Sequence, residues 1–188
     1  MGDLPIAVRL AGARVLVVGS GPVAELEAAG AEVTVVEPDA YEPGTAAAGG
    51  YRLVFVEAAD RAVSQRVFDD AAAAGVLVNS NDDPDRCTFT LPARFRRGDL
   101  AVAVSTAGRS PALASWLRAE LEGVVGPEYE VLLDLLAEER DRLRAEGRSS
   151  EVPGWKRALG SGMLDLVREG DLAAARELLR TCLSSSSA

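Results

Sequence analysis

The chain has 188 residues, 48% hydrophobic and 26% charged, enough for one domain or one domain with a small helical addition, and apolar enough to bury a core. Lys and Arg number 20 against 29 Asp and Glu, and the net charge of −9 argues against general binding to nucleic acid or an anionic membrane, which needs an electropositive face. There is no histidine, which excludes Ser-His-Asp and Cys-His catalysis, His-rich metal sites and a His base; the single lysine, Lys156, is the one residue a Schiff base could use, and no Walker-type GK[ST] loop is present.

The opening MGDLPIAVRL lacks the basic and apolar regions of a secretory signal. Ile6 stands where a myristoylation pattern needs Ser or Thr. No apolar run reaches the roughly 18 residues that span a bilayer, so a cytoplasmic protein with no membrane partner is expected. Residues 14–18 (RVLVV) form an apolar run that ends at glycine, the mark of a buried parallel strand feeding a turn. Residues 22–29 read as a short helix stopped by Gly30, and 32–36 (EVTVV) as a second strand. Residues 38–50 are rich in Pro, Gly and Ala and read as a loop. A third strand (52–57), a helix (60–74) with Val63, Val67 and Ala71 on one face, and a fourth strand (76–79) follow. This order predicts an α/β domain with a parallel sheet.

After Asn79 comes the polar loop NSNDDPDR, then two strands around a turn at Arg97-Gly98-Asp99. Ser110-Pro111 reads as N-cap and first helical residue of a helix running to about Leu121. From Pro127 onward the pattern is helical, with a stripe through Val131, Leu132, Leu135, Leu136 and Leu143, read as core or dimer contact. Trp116 and Trp155 read as core anchors. Cys87 reads as a small buried hydrophobe, and with Cys182 distant in sequence both are expected as reduced thiols. The tail SSSSA reads as disordered.

Four strings could carry chemistry. Gly19-Ser20-Gly21-Pro22-Val23-Ala24 fits G-x-G-x-x-G/A between a strand and a helix, where glycine lets the backbone approach a pyrophosphate; the alternative is a glycine turn that binds nothing. Glu37 sits at the end of the second strand, eighteen residues after Gly19 and close to Asp39. An acid there suits the ribose of NAD and repels the 2′-phosphate of NADP, the alternative being a solvated strand end. The loop Asn79–Asp85 follows a strand's carboxyl end, where open α/β sheets bind ligands. In a chain without histidine, proton transfer falls to Asp, Glu, Tyr, Cys or water, and the neighbours Asp82 and Asp83 would raise each other's proton affinity if both were buried; the alternative is an Asx-rich turn. Between Asn79 and Arg118, six arginines (86, 94, 96, 97, 109, 118) face four aspartates (82, 83, 85, 99), a surplus suited to a carboxylate-rich ligand or simply a solvated face. Finally Val104–Pro111 (VSTAGRSP) joins a strand end to a capped helix, an anion cradle or an ordinary connection.

Taken together, LPIAVRLAGARVLVVGSGPVA, AGAEVTVVEP, AVSQRV, VLVNSNDDPDRCTFTLPA, LAVAVSTAGRSPALASWLRAELE and GWKRAL resemble the precorrin-2 dehydrogenase/sirohydrochlorin ferrochelatase family, the N-terminal module of sirohaem synthases, in its stand-alone form. The resemblance runs over nearly the whole chain, and NSNDDPDRCTFTLPA and VSTAGRSPALA are its most specific strings. It implies a Rossmann-like NAD-binding domain (1–91), a dimerisation region (92–123), a small helical C-terminal domain (124–183) and a disordered tail (184–188). It implies oxidation of precorrin-2 to sirohydrochlorin with NAD⁺ as hydride acceptor, in a cytoplasmic homodimer. Some members also insert Fe²⁺, so Fe²⁺ is a candidate co-substrate, and no resident metal site is expected. The family's acid of the N-x-x-D-x-P string falls on Asp82, as proton acceptor or metal escort. Gly19, Gly21, Pro22 and Val23 would cradle the pyrophosphate, and Glu37, Pro38 and Asp39 would hold the adenosine ribose. Ser105, Thr106 and Arg109 would face the carboxylates of the tetrapyrrole. Alternatives are a chelatase acting on sirohydrochlorin without NAD, and a non-catalytic tetrapyrrole-binding module.

The sequence departs from the family in the cofactor half. Only Glu25-Leu26-Glu27-Ala28 separates the glycine loop from the AGA string, leaving the first helix roughly five residues short, more than one turn. Asp39–Tyr51 replaces a strand and a helix, and reads as too short for a normal crossover. Glu57-Ala58-Ala59-Asp60 stands where the family has an alanine-threonine-aspartate string.

Overall fold

The computed structural model describes residues 4–151 and 153–184. The chain divides into two compact units, Met1–Leu91 and Pro92–Ala188.

The first unit is built on β1 (Arg14–Gly19), β2 (Glu32–Val36), β3 (Leu53–Glu57) and β4 (Leu77–Ser80). All neighbours pair in parallel, in the order β2-β1-β3-β4. Val15, Leu16, Val17 and Val18 are buried on both faces of the sheet, which is why β1 is a continuous apolar run rather than an alternating one. Val15, Val17, Leu53 and Phe55 point to one side and pack with Leu26 of α1 (Val23–Ala28). Leu16, Val18, Val54, Val56 and Val78 point to the other, against Val63, Val67 and Ala71 of α3 (Arg61–Ala73). The face expected of α3 is the face that packs. Its N-cap is Asp60, whose carboxylate accepts from the Ala62 N–H at 2.8 Å.

The segment 38–50, expected as loop, contains a 3₁₀ turn (Pro38–Ala40) and a single α-turn, α2 (Thr45–Ala48). Although short, this connection does carry the chain across β1 from β2 to β3. One buried network replaces the missing length. The Tyr41 hydroxyl donates to Asp70 Oδ2 at 2.8 Å, the Gly44 N–H donates to the same oxygen at 2.5 Å, and the Ala46 N–H donates to the Tyr41 oxygen at 3.4 Å. Burial, and then the Asp70 contact, push the Tyr41 phenol well above the ordinary tyrosine range, so it stays a donor. Asp70 belongs to α3, so the network ties the crossover to the helix that covers the sheet.

The second unit starts with an antiparallel hairpin, β5 (Ala93–Arg97) and β6 (Leu100–Val104), against which α4 (Pro111–Val124) packs. Ser110 caps α4 by accepting from the Leu113 N–H at 3.2 Å, with Pro111 at the first helical position. The helix runs three residues beyond the expected end at Leu121. Then come α5 (Glu128–Ala145), α6 (Gly154–Gly160), α7 (Met163–Arg168) and α8 (Leu172–Ser184). Their core gathers Leu132, Leu135, Leu143, Met163, Val167, Ala175 and Leu179. Ser184 closes α8, and the rest of the expected tail lies outside the described residues. Trp155 is partly buried, with its indole N–H on the Ser150 carbonyl at 3.0 Å. Trp116 is not a core anchor: it is 58% exposed, because α4 turns other residues toward the hairpin.

Candidate cofactor and substrate site

In the sheet order β2-β1-β3-β4, the chain moves outward from β1 to β2 and then outward the other way from β3 to β4. The reversal lies between β1 and β3, and ligands of open α/β sheets bind outside the carboxyl ends of the strands at such a point. A cleft of about 300 Å³ lies there, lined by Ser20, Gly21 and Pro22 after β1, by Phe55, Val56 and Glu57 at the end of β3, by Asn79 and Asn81 around the end of β4, and by Leu91.

The glycines set how the turn sits on the sheet. Gly19 has a φ of +81°, and a Cβ there would lie 2.1 Å from the Glu57 carbonyl oxygen, so no other residue fits without moving β3. A Cβ at Gly21 would lie 2.8 Å from Val17 Cγ1. At both glycines the turn backbone therefore rests directly on the strand ends, which fits the close approach a dinucleotide phosphate requires. Pro22 lacks an N–H, and the Val23 N–H is taken by the Gly21 carbonyl at 2.9 Å. The Val23 side chain packs into the core beneath α1.

Glu37 and Asp39 are exposed at the end of β2 and do not line the cleft. Pro38 reaches back to the glycine turn, its Cγ 3.2 Å from where a Gly19 Cβ would be. The two ends of the expected dinucleotide site thus meet at Gly19, on either side of β1.

Asp82 and Asp83, expected as a coupled pair if both buried, have different environments. Asp83 is largely buried and clamped by Arg86 at 2.5 Å, with Arg61 at 3.6 Å. Arg86 is itself held by Gln65 at 2.8 Å. Asp82 is exposed, has a φ of +55° and makes no hydrogen bond or ion pair among the described residues. The Asp83 N–H donates to Ser80 at 3.3 Å, closing a turn that presents Asp82 outward beside Asn81. Cys87 underpins the loop: its sulfur accepts from the Ser80 N–H and donates to the Ser80 carbonyl, both at 3.2 Å. Burial pushes the thiol up, the Ser80 backbone bond pulls it down, and Asp83 adds to the rise. It is a half-buried, protonated bracket rather than a plain buried hydrophobe.

In the second unit, Thr106-Ala107-Gly108-Arg109 form a turn closed by the Arg109 N–H on the Thr106 carbonyl at 3.1 Å, with φ of +51° at Ala107 and +74° at Gly108. The Thr106 hydroxyl exchanges two 3.1 Å bonds with the Ser110 backbone, and Ser105 Oγ accepts from the Ala107 N–H at 3.1 Å. These hydroxyls build the turn; the side chain left to meet a ligand is Arg109, exposed and without an ion pair among the described residues. The arginine surplus shrinks accordingly. Arg86 pairs with Asp83, while Arg97 and Arg118 pair with Glu122 at 3.4 and 2.5 Å.

Sequence reasoning passed over Ser20, Phe55, Glu57 and Leu91 as lining residues. The signal for Glu57 was available in principle: it ends β3 as Gly19 ends β1, and the two are register partners. Among the described residues, no group of three Cys, Asp or Glu could hold a metal ion.

Sheet order and glycine turn together define an α/β protein of the dinucleotide-binding class, followed by a hairpin and a helical bundle. Residues 6–93 match the family described as "Putative NAD(P)-binding", and residues 97–123 match the family described as "Sirohaem biosynthesis protein central". The two matched segments follow one another along the chain. It is 33% identical to a siroheme synthase of Gluconacetobacter diazotrophicus over 98% of its own length, and 33% identical to siroheme synthase 1 of Aeromonas salmonicida over 96%. It spans 45% and 44% of those two proteins, a little under half. The solved structure named SirC, precorrin-2 dehydrogenase, superposes with a TM-score of 0.65 at 25% identity, covering 96% of this chain and 98% of that one.

Proposed function

We propose that the protein is an NAD-dependent precorrin-2 dehydrogenase, converting precorrin-2 to sirohydrochlorin in sirohaem synthesis. The observation that carries this reading is the cleft at the β1/β3 reversal, where the glycine turn lies bare against the end of β3. When bound, NAD⁺ supplies a hydride acceptor. The Ser20 and Gly21 amides and the Ser20 hydroxyl would meet its phosphates, with Gly19, Pro22 and Val23 fixing the turn. Glu37, with Pro38 and Asp39, would hold the adenosine ribose; an exposed acid at the end of β2 suits a 2′-hydroxyl and repels a 2′-phosphate, which supports NAD over NADP.

Oxidation of the macrocycle removes a proton as well as a hydride. Asp82, exposed and uncommitted, would accept that proton, whereas Asp83 is held by two arginines and cannot. Arg109 would pair with a substrate carboxylate, on a turn built by Ser105 and Thr106. Fe²⁺ insertion as a second activity rests on the same carboxylate. Homodimerisation is supported by the exposed apolar stripe of α4, and a cytoplasmic setting by two free thiols. No helix among the described residues is long and apolar enough to cross a membrane.

The test is an absorbance time course with precorrin-2, with and without NAD⁺, before any metal is added. Conversion to the sirohydrochlorin spectrum only with NAD⁺ is expected, and Asp82→Ala should slow it by roughly 10²-fold or more while NAD⁺ binding persists. Equal conversion without NAD⁺, or full turnover by Asp82→Ala, would refute the corresponding assignment.

A further inference from the structure

Glu57 is the one charged residue among those lining the cleft; the others there are Ser20, Asn79 and Asn81, glycine, proline and apolar side chains. Its carboxylate is exposed and engages no hydrogen bond or ion pair among the described residues. Its place is fixed by the sheet rather than by a loop. Glu57 is the register partner of Gly19, and its carbonyl oxygen sits so close to Gly19 that a Cβ there would be 2.1 Å away. The cleft therefore carries one acidic side chain, beside the glycine turn, with no arginine or lysine on its walls.

Position decides what that charge would meet. Glu37 and Asp39 stand at the end of β2, on the far side of β1 from Glu57. If the adenosine ribose lies with Glu37, as the proposed function has it, the other half of the dinucleotide falls on the β3/β4 side, where the cleft is. That half ends in the nicotinamide ring. The oxidised ring carries a positive charge and the reduced ring carries none. A carboxylate with no neighbouring cation attracts the first and gains nothing from the second. We infer that Glu57 selects the redox state of the cofactor, favouring the oxidised form on binding and easing departure of the reduced one.

The inference rests on the NAD reading above, and the experiment separates the two. The purified full chain is titrated calorimetrically with NAD⁺ and, separately, with NADH, at low ionic strength. The wild type should bind NAD⁺ roughly fivefold or more tightly than NADH, the size of one charge–charge contact in a half-open cleft. Glu57→Gln should bring the two affinities together, chiefly by weakening NAD⁺. Glu57→Asp should keep the preference, and Glu37→Gln should weaken both forms alike. The exposed, unbonded side chain makes Glu57→Gln safe for folding, and an unchanged thermal midpoint checks it. If both nucleotides bind and Glu57→Gln leaves their ratio where it was, or the wild type prefers NADH, the Glu57 assignment is wrong while the NAD reading stands. If neither nucleotide binds the wild type, both fall.

Discussion

Among the described residues, two outside glycine hold left-handed backbone, Asp82 at a φ of +55° and Ala107 at +51°, and each sits in a loop that the sequence marked as a candidate site. Aspartate tolerates that conformation because its short polar chain bonds locally; alanine does not, and its Cβ crowds the following carbonyl at a cost of roughly 1–2 kcal/mol. Ala107 is held there by the Arg109–Thr106 bond and by the Thr106–Ser110 pair. Ala107→Gly should therefore stabilise the chain by about 0.5–1 kcal/mol, after the extra chain entropy of glycine is subtracted. A thermal midpoint that rises by about 1–4 °C is the expected reading for a chain of this size. No rise would mean that the turn is not left-handed in solution. Gly19 is the opposite case, where the bare Cα is needed for contact as well as for φ.

At the scale of elements, α5 and α8 are tied by charge. Glu139 on α5 is buried, accepts from Arg142 Nε at 2.9 and 3.1 Å, and faces Arg180 of α8 at 3.5 Å; Glu138 pairs with Arg176 of α8. The bond from Arg142 holds the Glu139 carboxyl below the ordinary glutamate range, burial works against it, and the charges of Arg142 and Arg180 add to the lowering. A group whose folded pKa is depressed contributes stability that is complete above its unfolded value, about 4.3, and is lost as pH falls through the folded value. Glu139→Gln should be less stable than wild type at pH 7, and the gap should narrow steadily below about pH 4. Circular dichroism melts of the two proteins between pH 7 and pH 2.5 would show it, and a gap independent of pH would contradict it. The same scale explains how a short cofactor half still forms a sheet: the Tyr41–Asp70 bond lets one helical turn stand in for a full crossover helix.

At the scale of the whole molecule, α4 carries an exposed apolar stripe. Leu113, Trp116 and Val124 lie along one side of α4 and are 46%, 58% and 65% exposed. Large apolar groups aligned in this way mark a contact surface, and a homodimer is the proposed occupant. Trp116→Ser should shift sedimentation from dimer toward monomer at micromolar concentration, with the far-ultraviolet spectrum unchanged, since Trp116 contributes little to the core. A dimer that survives the change, or a monomeric wild type, would remove α4 from that role.

The sequence by itself determined the parallel sheet, the face of α3 that packs, the capped start of α4 and the likeness to sirohaem-biosynthesis proteins. Each depends on residues close in the chain: an apolar run ending in glycine, a period of three to four, a Ser-Pro pair, or a long motif in fixed order. It also pointed to the Gly19 turn and the Asn79–Asp85 loop, two segments that border one cleft. Only the tertiary structure separated Asp82 from Asp83, since Arg61 is distant in sequence and Arg86 becomes a partner through the fold of the loop. Only it showed that Arg86, Arg97 and Arg118 are already engaged, that Trp116 faces outward, and that the short crossover is completed by Asp70. Glu57 became visible through strand register, which places it beside Gly19 although the two are thirty-eight positions apart in the chain. Local pattern fixes which way a side chain points along its own element; what it meets there is set by elements that arrive from elsewhere in the chain.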